Sequence, residues 1–229
     1  MNRLYGLLLT VTSVGLLATL FAQTPASGPR ILPARTIPVP NSVSPQMQKL
    51  IAAPLSPTWN VIPKTANEWK KQVDAAAAAA MAAMPALRQA LDVKVEPMII
   101  GGVKAHMVTP RNVPPENVNR LLIHVHGGCY VSGSGESGTT EAIYMAGFGH
   151  FKIISVDYRM PPDHPYPAGL DDAMAVWKAA VKMTSPKRMA IFGSSAGGAL
   201  TLSMILRAKK ENLPLPAAIA PGTPMADLT

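Results

Sequence analysis

The strongest structural signal in this sequence is the stretch Ile191-Phe192-Gly193-Ser194-Ser195-Ala196-Gly197-Gly198-Ala199-Leu200. An apolar run, residues 189–192, leads into it, and a helical pattern, residues 199–210, follows it. The G-x-S-x-G pattern between them is typical of a strand that turns sharply into a helix and holds its central serine, Ser195, at the tip. Glycine is needed on both sides because the two backbones pass close to each other there. The alternative is a glycine-rich turn without chemistry, since short motifs also occur by chance.

A second glycine-rich stretch lies upstream, directly after the mostly apolar run of residues 121–125. It reads His124-Val125-His126-Gly127-Gly128-Cys129-Tyr130. Consecutive glycines after a buried strand let main-chain N–H groups point at one position, because no Cβ stands in the way. That is the geometry of an oxyanion hole. Such a loop upstream of G-x-S-x-G is a far more specific signal than either motif alone.

The remaining pattern predicts an α/β fold. Apolar runs alternate with helical patterns, which favours a doubly wound, mostly parallel sheet. Gly101-Gly102 separates the first two strands and indicates a tight hairpin turn. The predicted strands are residues 93–100, 103–109, 121–125, 152–156 and 187–192, with another beginning at 217–220, and the predicted helices after the hairpin are 139–148, 167–181 and 196–210.

The N-terminal part of the chain is organised differently. Residues 1–22 resemble a secretory signal, with Arg3 before an uncharged apolar stretch, which predicts a secreted or periplasmic protein. An uncleaved membrane anchor is the alternative. Residues 23–63 form a proline-rich spacer that resists helix formation, with a possible short helix at 46–52. Residues 64–92 form a helical cap segment that opens with a capping pattern, Thr65 to Glu68, and that Pro85 should kink or end.

Composition excludes some classes of function. The formal net charge is +8, but the basic residues are scattered and no long basic run is present, so we expect no nucleic-acid partner. The single cysteine, Cys129, excludes a disulfide bond within the chain.

With both glycine motifs in view, the chain resembles the hormone-sensitive lipase family of α/β-hydrolase carboxylesterases. The HGGG loop of that family corresponds to His126-Gly127-Gly128-Cys129, and its GDSAGG elbow to residues 193–198, where Ser194 replaces the usual Asp. Between them, residues 157–172 are similar to the family's DYRLAPEHPFPAALDD stretch. The resemblance implies that residues 93–229 are part of an α/β-hydrolase domain, preceded by a helical cap.

The same resemblance implies roles for individual residues. Ser195 would be the nucleophile that forms an acyl-enzyme with a small carboxylic ester of short acyl or lactone type. The family pattern implies no cofactor and no metal. Around Ser195, the oxyanion-hole loop would comprise Gly127, Gly128, Cys129 and Ala196, with Gly127 shaping it, and His126 would orient it. Four polar residues are expected to support the sheet edge and the following helix instead of touching substrate: Asp157, Arg159, His164 and Asp172.

A serine nucleophile also needs a histidine and an acid, which in this fold follow the serine along the chain. After Ser195 the only acidic residues are Glu211 and Asp227, and there is no histidine. We therefore expect a C-terminally truncated and inactive fragment of an esterase. The alternatives are a non-catalytic module that binds a ligand in the same pocket, or a peptidase or amidase on the same fold.

Overall fold

The structure, a computed structural model, describes residues 35–57 and 60–226. It divides the chain into two compact units, Met1–Asn60 and Val61–Thr229. In the first unit, one helix, α1 (Pro45–Ala52), begins after Ser44, whose hydroxyl accepts a hydrogen bond from the N–H of Met47 at 3.2 Å. The predicted signal segment, residues 1–22, lies outside the described residues. No helix in the described ranges combines the length and the hydropathy that a membrane span needs.

The second unit alternates strands and helices much as the sequence predicts. Its elements are α2 (Ala66–Leu91), β1 (Val93–Ile100), β2 (Val103–Pro110), β3 (Leu121–Val125), α3 (Thr140–Gly149), β4 (Lys152–Val156), α4 (Ala168–Ala180), β5 (Met189–Ser194), α5 (Ala196–Lys210) and β6 (Ala218–Gly222). The predicted start of β5 at residue 187 is wrong, because Pro186–Arg188 forms a 3₁₀ turn before the strand. A proline cannot donate to the ladder, so pairing begins only after it.

The six strands form one sheet in the order β1-β2-β4-β3-β5-β6. β2 pairs antiparallel with both β1 and β4, and the other neighbours are parallel. Gly101 and Gly102 turn the β1–β2 hairpin with φ angles of 60° and 78°, as the glycine pair predicts. The predicted mostly parallel sheet is therefore confirmed, with an antiparallel hairpin at one edge.

Helices cover both faces of the sheet. On one face, α4 and α5 pack on the strands through side chains that include Trp177 and Met204. On the other face, α2 and α3 pack through Met84 and Ile143. Every residue of β3 is buried, because a central strand of such a sheet has no solvent-facing side. This central position of β3 puts the loop that follows it in the middle of the carboxyl edge of the sheet.

Helix α2 corrects the predicted effect of Pro85. The helix runs without interruption from residue 66 to residue 91, with Pro85 inside it. At its N-terminus, the Thr65 hydroxyl accepts from the N–H of Glu68 at 3.2 Å, as the capping pattern predicts. Near its C-terminus, Met84, Leu87 and Leu91 pack against the sheet and α3. This packing compensates for the backbone hydrogen bond that the proline ring removes.

Candidate active site

Ser195 lies between the end of β5 and the start of α5, as the G-x-S-x-G pattern predicts. Its backbone has φ 56° and ψ −120°, a conformation that non-glycine residues rarely adopt. Its N–H donates to the carbonyl oxygen of Gly222 at 2.9 Å, and its carbonyl accepts from Ala199 N–H at 3.1 Å. The side chain is partly exposed. A strained backbone that presents a partly exposed hydroxyl is the geometry of a nucleophile elbow.

The glycines around Ser195 bring the end of β3 against the elbow. A Cβ atom built on Gly193 or on Gly197 would lie 2.0 Å from the carbonyl oxygen of Val125, so neither position admits a side chain. The next loop therefore passes directly beside the serine. A Cβ atom on Gly127 would lie 3.5 Å from the Ser195 Cβ and 2.7 Å from the Ser194 carbonyl oxygen.

The loop after His126 continues as a tight left-handed turn. Gly128, Cys129 and Tyr130 have φ angles of 114°, 55° and 62°. The carbonyl oxygen of Gly128 accepts from the N–H of Val131, and from both the N–H and the hydroxyl of Ser132, each at 3.0 Å. The Cys129 thiol is free and exposed. The structure thus places Gly127 and Ala196 next to Ser195, and Gly128 and Cys129 in the turn that follows.

His126 is fixed inside this loop. Its ring is buried and stacks on Tyr158 with 4.2 Å between centroids. Its Nδ1 lies 2.8 Å from the Gly127 carbonyl oxygen, which can only accept, so Nδ1 carries the proton. The Tyr158 hydroxyl donates to the His126 carbonyl at 2.7 Å. Burial lowers the pKa of His126 to about 4. A neutral ring held in this way is suited to orienting the loop, as the resemblance implies.

A proton acceptor for Ser195 is not found among residues 35–57 and 60–226, since the Ser195 hydroxyl has no hydrogen-bond partner there. Of the two acids downstream, Glu211 pairs with Lys178 at 2.6 Å and with Arg207 at 2.7 Å. Asp227 lies outside the described residues. The downstream chain that the structure describes therefore supplies no base or acid to the serine.

The stretch 157–172 supports the loops around the site. Asp157 accepts from the N–H of Gly135 at 2.7 Å. The buried carboxylate of Asp172 takes hydrogen bonds from the backbone N–H of Arg159 at 2.8 Å and from its guanidinium at 2.7 Å. His164 donates its backbone N–H to the Met160 carbonyl at 3.0 Å. The contacts of Asp157 and Asp172 join the loops after β3 and β4 to their surroundings, and the supporting role that the resemblance implies for the four residues stays a prediction.

The same stretch borders a large groove. The groove has a volume of about 1080 Å³, and its walls come from the first half of α2, the β1–β2 hairpin and the loop 157–164. Lys70 and Asp163 form an exposed ion pair across it at 3.0 Å. Ser195 is not among its lining residues.

One polar cluster beside the elbow escaped the sequence analysis. Ser194 donates its hydroxyl to Glu141, and the other oxygen of that carboxylate lies 3.2 Å from Nε2 of His124. His124 Nδ1 lies 2.8 Å from the Ser155 hydroxyl. The hydrogen bond with His124 is the main cause that holds the pKa of Glu141 below its usual value. The only signal in the sequence is a histidine within an otherwise apolar strand.

A family model described as the α/β-hydrolase fold matches residues 122–229, which include the glycine loop after β3 and the elbow. Solved structures support the same assignment. The chain is similar to an esterase crystal structure, with 33% identity and a TM-score of 0.78, over 88% of this chain and 63% of that one. It is also similar to a hormone-sensitive lipase from a metagenome library, with 26% identity and a TM-score of 0.58, over 75% of this chain and 52% of that one.

The chain therefore has the α/β-hydrolase fold and is similar to esterases of the hormone-sensitive lipase type. Among curated proteins, the chain is similar to an esterase of Acinetobacter venetianus, with 30% identity over 138 residues. That match covers 60% of this chain and 44% of the relative. The α/β-hydrolase chain therefore spans less than half of the length of that curated relative.

Proposed function

We propose that this chain forms the nucleophile and oxyanion-hole half of a hydrolase that cleaves small carboxylic esters. The observation that carries the proposal is the close approach of the Gly127 loop to the strained Ser195. Strained backbone of this kind is concentrated at functional sites, where the surroundings hold it in place. The family resemblance favours short acyl or lactone-type esters.

In the proposed reaction, the Ser195 hydroxyl attacks the acyl carbon and passes its proton to a water molecule, from which the leaving alkoxide later takes a proton. The oxyanion accepts hydrogen bonds from the N–H groups of Gly128, Cys129 and Ala196, of which the last lies at the N-terminus of α5. One such donor stabilises the transition state by about 3–4 kcal/mol. The alcohol leaves, and water hydrolyses the acyl-enzyme. His126 orients the loop and is not the base, because its ring is buried against Tyr158 and its pKa is low.

The chain of 229 residues should hydrolyse esters slowly by itself. The reason is that, in the part of the chain that the structure describes, no histidine reaches the Ser195 hydroxyl. An oxyanion hole and binding alone retain roughly 10³–10⁴-fold acceleration over water, whether or not the serine is present. Slow acyl transfer to Ser195, with water as the proton acceptor, is expected to add to this residual rate.

The test is hydrolysis of p-nitrophenyl acetate by the purified chain and by Ser195→Ala. Ser203→Ala is the matched control, because Ser203 lies on α5 and donates only to the Ala199 carbonyl. We expect Ser195→Ala to lower the rate to the residual that the oxyanion hole and binding supply, and Ser203→Ala to keep the rate of the parent chain. Equal rates in the parent chain and Ser195→Ala would contradict the proposal. A p-nitroanilide of the same acyl group tests the amidase alternative.

The unpartnered Ser195 hydroxyl favours one second candidate, a module that binds esters without turning them over. Calorimetric titration with a non-hydrolysable ether analogue separates the two. Binding without any hydrolysis that depends on Ser195 would favour the module.

A further inference from the structure

A chain of four polar side chains links the elbow to three other elements. Ser194, the last residue of β5, donates to Glu141 in the first turn of α3. Glu141 meets His124 of β3 at 3.2 Å, and His124 meets Ser155 of β4 at 2.8 Å. Apart from the hydrogen bonds of the sheet and the close glycine contacts, these side chains connect Ser194, the residue before Ser195, to α3, β3 and β4.

The strand register fixes the positions of His124 and Ser155, the two buried members of this hydrogen-bonded series. Ser155 lies opposite His124 between β4 and β3, and His124 lies opposite Phe192 between β3 and β5. The His124 side chain is fully buried, with its ring centroid 4.9 Å from that of Phe192. A ring enclosed in this way cannot turn, so its Nε2 stays aimed at the carboxylate.

Glu141 is suited to link Ser194 and His124 within this hydrogen-bonded series. It lies in the first turn of α3, where unpaired N–H groups and the helix dipole favour a carboxylate. Its two oxygens bind different partners, one on the His124 ring and one on the Ser194 hydroxyl. A hydrogen bond to an ionised carboxylate is about twice as strong as one between neutral groups. The Ser194 hydroxyl is therefore held by a charge-assisted hydrogen bond to α3.

We propose that Glu141, anchored by His124, is a positioning residue that fixes the strained backbone at Ser195 through the Ser194 hydroxyl. The proposal rests on the proposed role of Ser195 as nucleophile. A strained residue keeps its conformation only where neighbouring contacts over-determine it. Here the Gly222 carbonyl restrains Ser195 from β6, and Glu141 restrains the preceding residue from α3.

The test disrupts the hydrogen bond between Ser194 and Glu141 with one substitution and restores it with a second. Ser194→Asp places a second carboxylate against Glu141, and two like charges at this distance repel. Adding Glu141→Gln restores a donor and an acceptor, because the Gln amide can donate to Asp and its oxygen can accept from His124. The matched control is Glu136→Gln, since Glu136 is a nearby carboxylate that pairs with Arg88 outside this chain of contacts.

The first readout is hydrogen exchange of the backbone amides of residues 193–197, which does not depend on activity. We expect exchange about tenfold faster in Ser194→Asp, and within about threefold of the parent in the double variant, as for residues in direct contact. Glu136→Gln should exchange like the parent. Unchanged exchange in Ser194→Asp, or no recovery in the double variant, would overturn the proposal.

The second readout is p-nitrophenyl acetate hydrolysis that depends on Ser195. A misplaced nucleophile should lower kcat about tenfold with KM within about twofold, and the double variant should recover kcat. Coupled exchange without any hydrolysis that depends on Ser195 would retain the positioning role and reject the proposed function. The opposite result is hydrolysis that depends on Ser195, without coupling between the substitutions at Ser194 and Glu141. It would retain the proposed function and reject the positioning role.

A second pair of variants tests the proposal if Ser194→Asp does not fold. Ser194→Ala removes the hydroxyl without adding charge, and Ser194→Thr keeps it. Faster exchange at residues 193–197 in the alanine variant than in the threonine variant supports the positioning role. Equal exchange in both overturns it.

Discussion

At the scale of single residues, Gly197 decides how closely the elbow approaches β3. A Cβ atom there would lie 2.0 Å from the Val125 carbonyl oxygen and 2.8 Å from the His126 carbonyl carbon. Both are backbone atoms of a buried strand and its loop, so they cannot yield as a flexible side chain does. We expect Gly197→Ala to lower the free energy of unfolding by about 3 kcal/mol or more, measured by urea denaturation.

The control for this substitution is Gly102→Ala. Gly102 has a φ of 78° but no atom within 4 Å of an added Cβ, so alanine there suffers backbone strain without a clash. The expected cost is about 1–2 kcal/mol. An equal loss in both variants would mean that crowding at Val125 contributes nothing.

A second prediction at this scale concerns His126 and pH. Its pKa falls from 6.5 to about 4 in the folded chain because the ring is buried. Between these values the unfolded chain binds a proton that the folded chain does not, so stability should fall as the pH falls. From pH 7 to pH 5 the loss from this residue is about 2 kcal/mol.

The measurement is urea denaturation at both pH values for the parent chain and for His126→Asn. An asparagine amide can replace the Nδ1–H donor to the Gly127 carbonyl but does not titrate. Between pH 7 and pH 5, the free energy of unfolding of the variant should fall by about 2 kcal/mol less than that of the parent chain. The same pH dependence in both proteins would refute the assignment.

At the scale of elements, α2 shows that helical spacing does not by itself decide burial. Met81 and Met84 are three residues apart, a spacing that places two side chains on the same side of a helix. Met84 is 3% exposed in the core against the sheet and α3, whereas Met81 is 40% exposed. The helix therefore anchors to the sheet through a narrow stripe near its C-terminal end.

This difference gives a prediction with an internal control. Met84→Ala should lower the free energy of unfolding by about 2–5 kcal/mol, because it leaves a cavity between α2 and the sheet. Met81→Ala should change it by less than about 0.5 kcal/mol, since its side chain is on the surface. Thermal or urea denaturation of both variants checks the pair, and similar losses would contradict the packing.

At the scale of the second unit, two ion pairs border the same groove but differ in burial. The Asp172 side chain is 7% exposed and receives the Arg159 guanidinium, which joins the loop after β4 to α4. Lys70 and Asp163 join α2 to that loop, with side chains 56% and 64% exposed. The Arg159 side chain is 50% exposed, so only the carboxylate of its pair is buried. That pair should still matter more, because water screens both partners of the Lys70–Asp163 pair.

We expect Asp172→Asn to lower the free energy of unfolding by about 2–3 kcal/mol, because it leaves the guanidinium and a backbone N–H without their charged acceptor. Asp163→Asn should lower it by less than about 1 kcal/mol, and less still at high salt. Urea denaturation at low and high salt distinguishes the two. A larger effect of Asp163→Asn would contradict the burial argument.

Local patterns explain why much of this fold could be predicted. The hairpin follows from Gly101-Gly102, and β3 from an uninterrupted buried run. The elbow follows from glycines that must admit a passing backbone. Pro85 was misjudged because a local rule treats a helix in isolation, whereas packing of its last turns on the sheet holds α2 together.

The sequence by itself determined the order of strands and helices and the positions of the strand–helix turn at Ser195 and of the glycine loop, because each depends on neighbours within a few residues. Only the tertiary structure decided which groups meet across strands. Glu141, Ser194 and His124 come from three elements, and sheet register brings them together. The burial of His126 and its stacking on Tyr158 likewise depend on the assembled fold. Hydrogen-bond partners distant in sequence follow from the assembled layers, which no local pattern encodes.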